Sequence, residues 1–403
     1  MTAIVGVLNK HAVAMAADSA VTLGGGRKVL NSANKLFALS KYHPVAIAIY
    51  GNAELVGTPW EIIIKEFRKE LGDMSFNTLQ EYADCFFKFL KNKNYYCNDK
   101  EALQYLYATL AAFVNSFTQS KDVNQIRFRL NEYETECIEG PFLDGFSDET
   151  IEFINNALDK ELKCFITSIK QFHVQMDDNR LRNILKTILT KDVPNFNLTG
   201  LVFSGYGESE IYPSIAHYNV GNVINGILAS KKMPSAIIDK ENLSAICPFA
   251  QTDVMNTLLD GIAPQVQQIY IRSLLNTFDS VINSLSDLVK EKDPELALQV
   301  KNLNKDQFIR PFYILSNTAR EKEYTRPFIA SVANLEKEDL ADFAESLIKL
   351  TSLKRKLSPE QETVGGPVDV MVISKGDGII WIKRKHYFDS NLNHNFFSNY
   401  YNL

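Results

Sequence analysis

The chain has 403 residues, 45% hydrophobic and 23% charged, a composition that excludes a disordered or fibrous class and is long enough for a large core and a second domain. A formal net charge of −5 speaks against nucleic-acid binding, and the short clusters Lys354-Arg-Lys356 and Lys383-Arg-Lys385 read as solvated surface. Five irregularly spaced cysteines with no CxxC speak against a disulfide framework or zinc site; with no signal-peptide pattern and no run of about 18 apolar residues, a cytoplasmic, non-membrane protein is expected.

Residues 2–8 and 12–17 are short apolar runs separated by Asn9-Lys-His11, and they read as a β-hairpin. Residues 35–40 and 45–50 repeat the pattern across Lys41-Tyr-His-Pro44. From Glu54 to Leu71 the spacing of Leu55, Trp60, Ile63, Ile64, Phe67 and Leu71 predicts a helix. Strand pairs followed by helices predict a layered α+β domain. From 72 to 197 aromatic and charged residues mix at helical periods, so this segment reads as a mostly helical insertion, with two amphipathic helices over 149–189. Strand character returns at Leu198–Gly207 and Glu210–Ile215, with a turn at Gly207-Glu-Ser209. Residues 250–262 open a helix, and 264–334 reads as a second helical elaboration. Lys337–Leu350 is amphipathic, with Leu340, Phe343, Leu347 and Leu350 on one face. Val368–Ser374 and Gly378–Lys383 read as a closing hairpin, and an Asn-, Phe- and Tyr-rich tail follows from Phe388.

Four pieces of the N-terminal region stand in one order: Thr2-Ala-Ile-Val-Gly-Val, Ala16-Ala-Asp18-Ser-Ala-Val-Thr22, Lys35-Leu-Phe-Ala-Leu and Ala46-Ile-Ala-Ile-Tyr-Gly51-Asn-Ala-Glu54. In this order and at this spacing they resemble the start of a proteasome-type β-subunit, an N-terminal nucleophile (Ntn) hydrolase of the kind found in the 20S proteasome and in bacterial proteasome-like peptidases. The resemblance covers roughly 2–71, 198–262 and 335–386. It implies a four-layer αββα sandwich elaborated by helical insertions. The core would comprise 2–71, 198–263 and 335–403, interrupted by 72–197 and 264–334.

The resemblance also implies a site. Thr2, once Met1 is removed, would carry both a hydroxyl nucleophile and a free α-amine to act as its base. Such an amine ordinarily titrates at about 7.7–8.0, near operating pH. Lys35 would be the neighbouring cation, and Asp18 its counterion. Tyr50 or Gly51 would supply the oxyanion-binding backbone N–H. Thr22 would help hold an extended peptide through its backbone, and Val21, Ala33 and Ala48 would wall a pocket for an uncharged side chain next to the cleaved bond. The implied activity is a threonine-type endopeptidase without metal or cofactor. Its partners would be peptide or unfolded-protein substrates, further copies in a ring or related oligomer, and an ATPase unfoldase.

The chain departs from the family pattern in three places. A glycine is usual where Tyr50 stands. The family's helper serine falls on Pro248, which has neither hydroxyl nor N–H. The second Asp/Ser pair falls in Glu360–Gly365, where Gln361 or Thr363 is the nearest substitute. These departures keep two alternatives open: a catalytically silent structural subunit, and an Ntn amidase acting on a small amide. The six histidines lie far apart without metal-ligand spacing, Gly24-Gly-Gly26 reads as a turn, and Cys247 reads as a core thiol.

Overall fold

The computed structural model describes residues 2–23, 28–93, 99–118, 123–138, 140–172, 174–191, 198–358, 364–395 and 398. Its strands and helices are mixed along the chain, and every strand pair is antiparallel. The first part of the chain holds β1 (Ala3–Asn9), β2 (Val13–Ala17), β3 (Val21–Leu23), β4 (Lys28–Leu30), β5 (Leu36–Ala38), β6 (Val45–Gly51), β7 (Glu54–Leu55), β8 (Thr58–Pro59) and α1 (Trp60–Leu71). Six helices follow: α2 (Leu79–Asn92), α3 (Asp99–Thr118), α4 (Val123–Ile138), α5 (Asp148–Ala157), α6 (Asp159–Lys170) and α7 (Asp178–Thr190). Next come β9 (Thr199–Gly205), β10 (Ser214–Ile224), β11 (Ile227–Lys232), β12 (Ala236–Ile237) and β13 (Ser244–Ala250). A helical stretch holds α8 (Asp253–Asp260), α9 (Pro264–Lys290), α10 (Pro294–Lys301), α11 (Asp306–Arg320), a π-turn over Glu321–Thr325 and α12 (Arg326–Val332). The chain closes with α13 (Lys337–Leu357), β14 (Asp369–Ser374) and β15 (Gly378–Lys383).

Two sheets carry the core. The first has the order β13-β1-β2-β14-β15; the second has the order β11-β10-β9-β6-β5, with β12 on β10. All seven residues of β1 are buried, because both faces of this strand are covered. Its residues alternate between two apolar clusters, as the period of a strand requires. Ile4 and Leu8 meet Met15, Val202 and Ile215 between the two sheets. Val5 and Val7 instead meet Leu340 and Leu347 of α13. On the far side of the second sheet, Ile47 and Phe203 pack on Trp60, Phe67 and Phe86 of α1 and α2. Truncating one of these fully buried aromatics to alanine is expected to cost about 3–5 kcal/mol. The helices α3–α7 bury a further cluster around Leu110, Leu162 and Leu185, which meets the second sheet at Ile224 and Ala229.

Three elements differ from the sequence-based expectation. The first helix begins at Trp60 rather than Glu54, because Val56 (φ 46°) and Gly57 (φ 82°) form a left-handed turn between β7 and β8. The segment 149–189 forms three helices rather than two, split at Leu158, whose φ of −119° and ψ of 19° leave the helical region. The strand expected from Glu210 starts at Ser214, after Pro213, which has no N–H to give a ladder.

Candidate functional site

Thr2 lies at the entrance to β1, only 7% exposed, and its carbonyl accepts a hydrogen bond from the Gln251 N–H at 3.1 Å. That bond continues the pairing of β1 with β13, in which Ala3 stands opposite Ala250. The same register sets Pro248 opposite Val5, three residues along the strand from Gln251. Gln251, not Pro248, is therefore the residue bonded to the Thr2 backbone. A proline is tolerated in β13 because this is the edge strand of its sheet.

Asp18 follows directly on β2 and is 1% exposed. Its Oδ1 accepts from the Ala3 N–H at 2.9 Å and from Lys35 Nζ at 2.6 Å. Its Oδ2 accepts from the Ala20 N–H and the Gly365 N–H, each at 3.1 Å. One carboxylate thus ties together four parts of the chain. Lys35, immediately before β5, is 4% exposed and also donates to the Ala20 carbonyl at 2.6 Å. Burial pulls the Lys35 ammonium below its ordinary range, and the Asp18 charge opposes that pull. Lys385 pushes in the same direction as burial, while Asp369 opposes it.

Asp369 and Lys385 form a second, adjoining pair. Asp369 opens β14 opposite Ala17, the residue before Asp18, and is 3% exposed. It accepts from the Lys385 N–H at 2.8 Å and binds the Lys385 ammonium. Two acids and two bases therefore gather at the end of β2, with Asp18 bonded to the start of β1. The members of this second pair lie 16 residues apart at the open end of the β14–β15 hairpin, and the β2–β14 pairing sets them beside Asp18.

The remaining predicted residues fall in three settings. Ala33 is half-buried, and its N–H donates to the Ser19 carbonyl at 3.1 Å, tying the approach to Lys35 to the residue after Asp18. Val21 and Thr22 lie on the β3–β4 ribbon, opposite Leu30 and Val29. Ala48 is 1% exposed and belongs to the cluster between the sheets. Gln361 and Thr363 lie outside the described residues.

Tyr50 and Gly51 end β6, opposite Gly200 and Thr199 of β9. Gly51 has φ 84°, and a Cβ there would fall 2.1 Å from the Leu198 carbonyl oxygen. Tyr50 does not project into open space. Its ring lies across Gly200, where a Cβ would sit 2.0 Å from it. The Tyr50 hydroxyl thereby reaches over β9 to His217 Nε2 at 2.8 Å and donates to Asn219 Oδ1 at 3.2 Å. Burial raises Tyr50 to about 12 and lowers His217 to about 4, so both are neutral near pH 7. Together with Phe249, Ala250 and Thr252 they line a largely apolar cleft of about 450 Å³ between the two sheets. The cleft is bordered by Ala250 and Thr252, the residues on either side of Gln251. Cys247 also borders it, but burial pushes its thiol up to about 12, which keeps it from acting as a thiolate nucleophile. Among the described residues, no three His, Cys, Asp or Glu side chains converge as metal ligands would.

No family model matches the chain. No curated protein matches it either. Among solved structures, the Gly-1 mutant of Anbu from Hyphomicrobium sp. strain MC1 aligns over 99% of this chain and 94% of its own, at 9% identity and a TM-score of 0.30. A superposition that loose carries no argument about this chain.

Proposed function

We propose that the chain is a proteasome-like N-terminal threonine peptidase with Thr2 as nucleophile. The observation that carries this reading is the Asp18 carboxylate, which at once holds the Lys35 ammonium and the N–H of Ala3, the residue joined to Thr2. This arrangement places a buried cation, its pKa lowered by desolvation, next to the start of β1. The four-layer αββα arrangement belongs to the same proposal. It is supported by the three apolar clusters that pair α13 with the first sheet, the first sheet with the second, and the second sheet with α1 and α2.

In the proposed reaction, Met1 is first removed. The Thr2 α-amine takes the hydroxyl proton as Oγ attacks the substrate carbonyl carbon. The C–N bond breaks, the proton passes to the leaving amine, and an ester to Thr2 remains. Water then cleaves that ester, with the same α-amine as base. The Lys35 charge favours the unprotonated amine and the developing alkoxide. The cleft under Tyr50 and Phe249 suits an uncharged, apolar substrate side chain. Intact mass before and after an epoxyketone directed at threonine tests the reading, with Thr2→Ala as control. The expected result is loss of Met1 and a single adduct that the variant lacks. A retained Met1, or a processed chain that never labels, would sink it.

A further inference from the structure

The helix α9 is 27 residues long, about 40 Å at 1.5 Å per residue, yet among the described residues it buries only Ile282 and Ser286. One side of it is held by the chain itself. Gln267 donates to Asn317 of α11 at 3.3 Å, the Phe278 and Phe308 rings stack at 5.8 Å, and Lys305 pairs with Asp279. Another side faces outward and is apolar. Val266 is 37% exposed, Tyr270 62%, Val281 49%, Leu285 47% and Leu288 75%. At 100° per residue these five fall within about one third of the helix circumference, together with Ser273 and Thr277. The charged residues Arg272 and Asp279 lie off this stripe. On α11, which runs beside α9, Phe312 (50%) and Leu315 (69%) are exposed as well.

Two pairs of the stripe's large side chains are placed symmetrically along α9. Reflected about a point close to the middle of α9, between residues 275 and 276, Tyr270 maps onto Val281 and Val266 onto Leu285. Ser273 and Thr277, one residue off that register, flank the midpoint. Two copies of the helix crossing antiparallel about a two-fold axis near this point would set Tyr270 against Val281 and Val266 against Leu285 of the other copy. Each end then meets the other's opposite end, and the backbones approach at the middle.

We propose that α9 packs antiparallel against α9 of a second copy of this chain, with α11 of each copy widening the contact into a four-helix arrangement. A large aromatic side chain carries roughly 150–250 Å². At the exposures above, and with smaller aliphatic side chains, the two helices offer on the order of 800 Å² per copy, which is what one partner contributes to a standard interface. A helix with so little of its own surface buried draws its stability from packing, so the second copy also accounts for why α9 stays helical in water. The proposal is independent of the chemistry at Thr2.

Mass photometry and sedimentation of the full chain test it, comparing wild type with Val281→Lys on the stripe and Asn283→Lys on an exposed position away from it. The expected result is an even-numbered oligomer for wild type and Asn283→Lys, with the mass at least halved for Val281→Lys and its circular dichroism unchanged. A monomeric wild type would overturn the proposal, as would a Val281→Lys chain of unaltered mass. Should Val281→Lys lose its fold, the arrangement is read from a mixture of Ser273→Cys and Thr277→Cys chains. A crosslink between those two positions supports the antiparallel crossing, and its absence overturns it.

Discussion

Asp18 is the residue on which most depends. Its four donors come from three segments of backbone and one ammonium, so neither oxygen is left to water. Breaking a buried ion pair from one side leaves the other charge uncompensated, at a cost of about 3–5 kcal/mol. Asp18→Asn should therefore lower stability by that order in urea unfolding, and should abolish epoxyketone labelling even where the chain still folds. His217 gives a second residue-scale prediction. Its folded pKa is about 4 against an ordinary 6.5. Between those values the unfolded chain binds more protons than the folded one. Stability from neutral burial is therefore complete above pH 6.5 and is lost as pH falls toward 4, by at most ~3 kcal/mol. His217→Gln should flatten that part of the stability–pH curve. An unchanged acid limb in the variant would show that other groups set it.

At the scale of elements, the crossing of Tyr50 over Gly200 joins three neighbouring strands by one side chain. Gly200→Ala must push the ring off Asn219 and His217, and should cost about 1–3 kcal/mol. In a double-mutant cycle with Tyr50→Ala, the cost of the alanine at 200 should largely disappear, since the atom it strikes is gone. Additive effects would mean that the contact is not what constrains this position. The elements themselves are unevenly legible in the sequence. The hairpin of β1 and β2 is plain because buried strands read as unbroken apolar runs, and the closing strand β15 falls at 378–383 as its pattern predicts. The start of α1 is misplaced, since Leu55 fits a helical period by chance while Val56 and Gly57 adopt a turn. Asp18 and Lys35 are singled out only through the family resemblance, and the structure joins them directly. Tyr50 with His217, and Asp369 with Lys385, cannot be found that way. The first pair is made by strand register between distant segments and the second by the register of the closing β14–β15 hairpin, and register is invisible until the sheet is built.

Across the whole molecule, Asn9 links the first hairpin to the far helical region. It is fully buried, its side-chain amide donates to the carbonyls of Val332 and Leu335 at 3.0 and 2.8 Å, and its Oδ1 accepts from the N–H groups of His11 and Ala12. Asn9→Ala would strand these groups, at about 1–3 kcal/mol. Hydrogen exchange should then rise at the end of α12 as well as at the β1–β2 turn. A rise at the turn alone would show that the helix end is held by other contacts. The grip of Asp18 on Gly365 has a consequence in time. The carboxylate emerges from the ribosome with the first strands, but its last donor and the β14 strand beside it are made 347 residues later. During synthesis the Lys35 charge has a partner whose own cage is unfinished, and a chain cut short before residue 365 never closes it. The Asp18 cage is thus completed last, and a half-made chain holds it open.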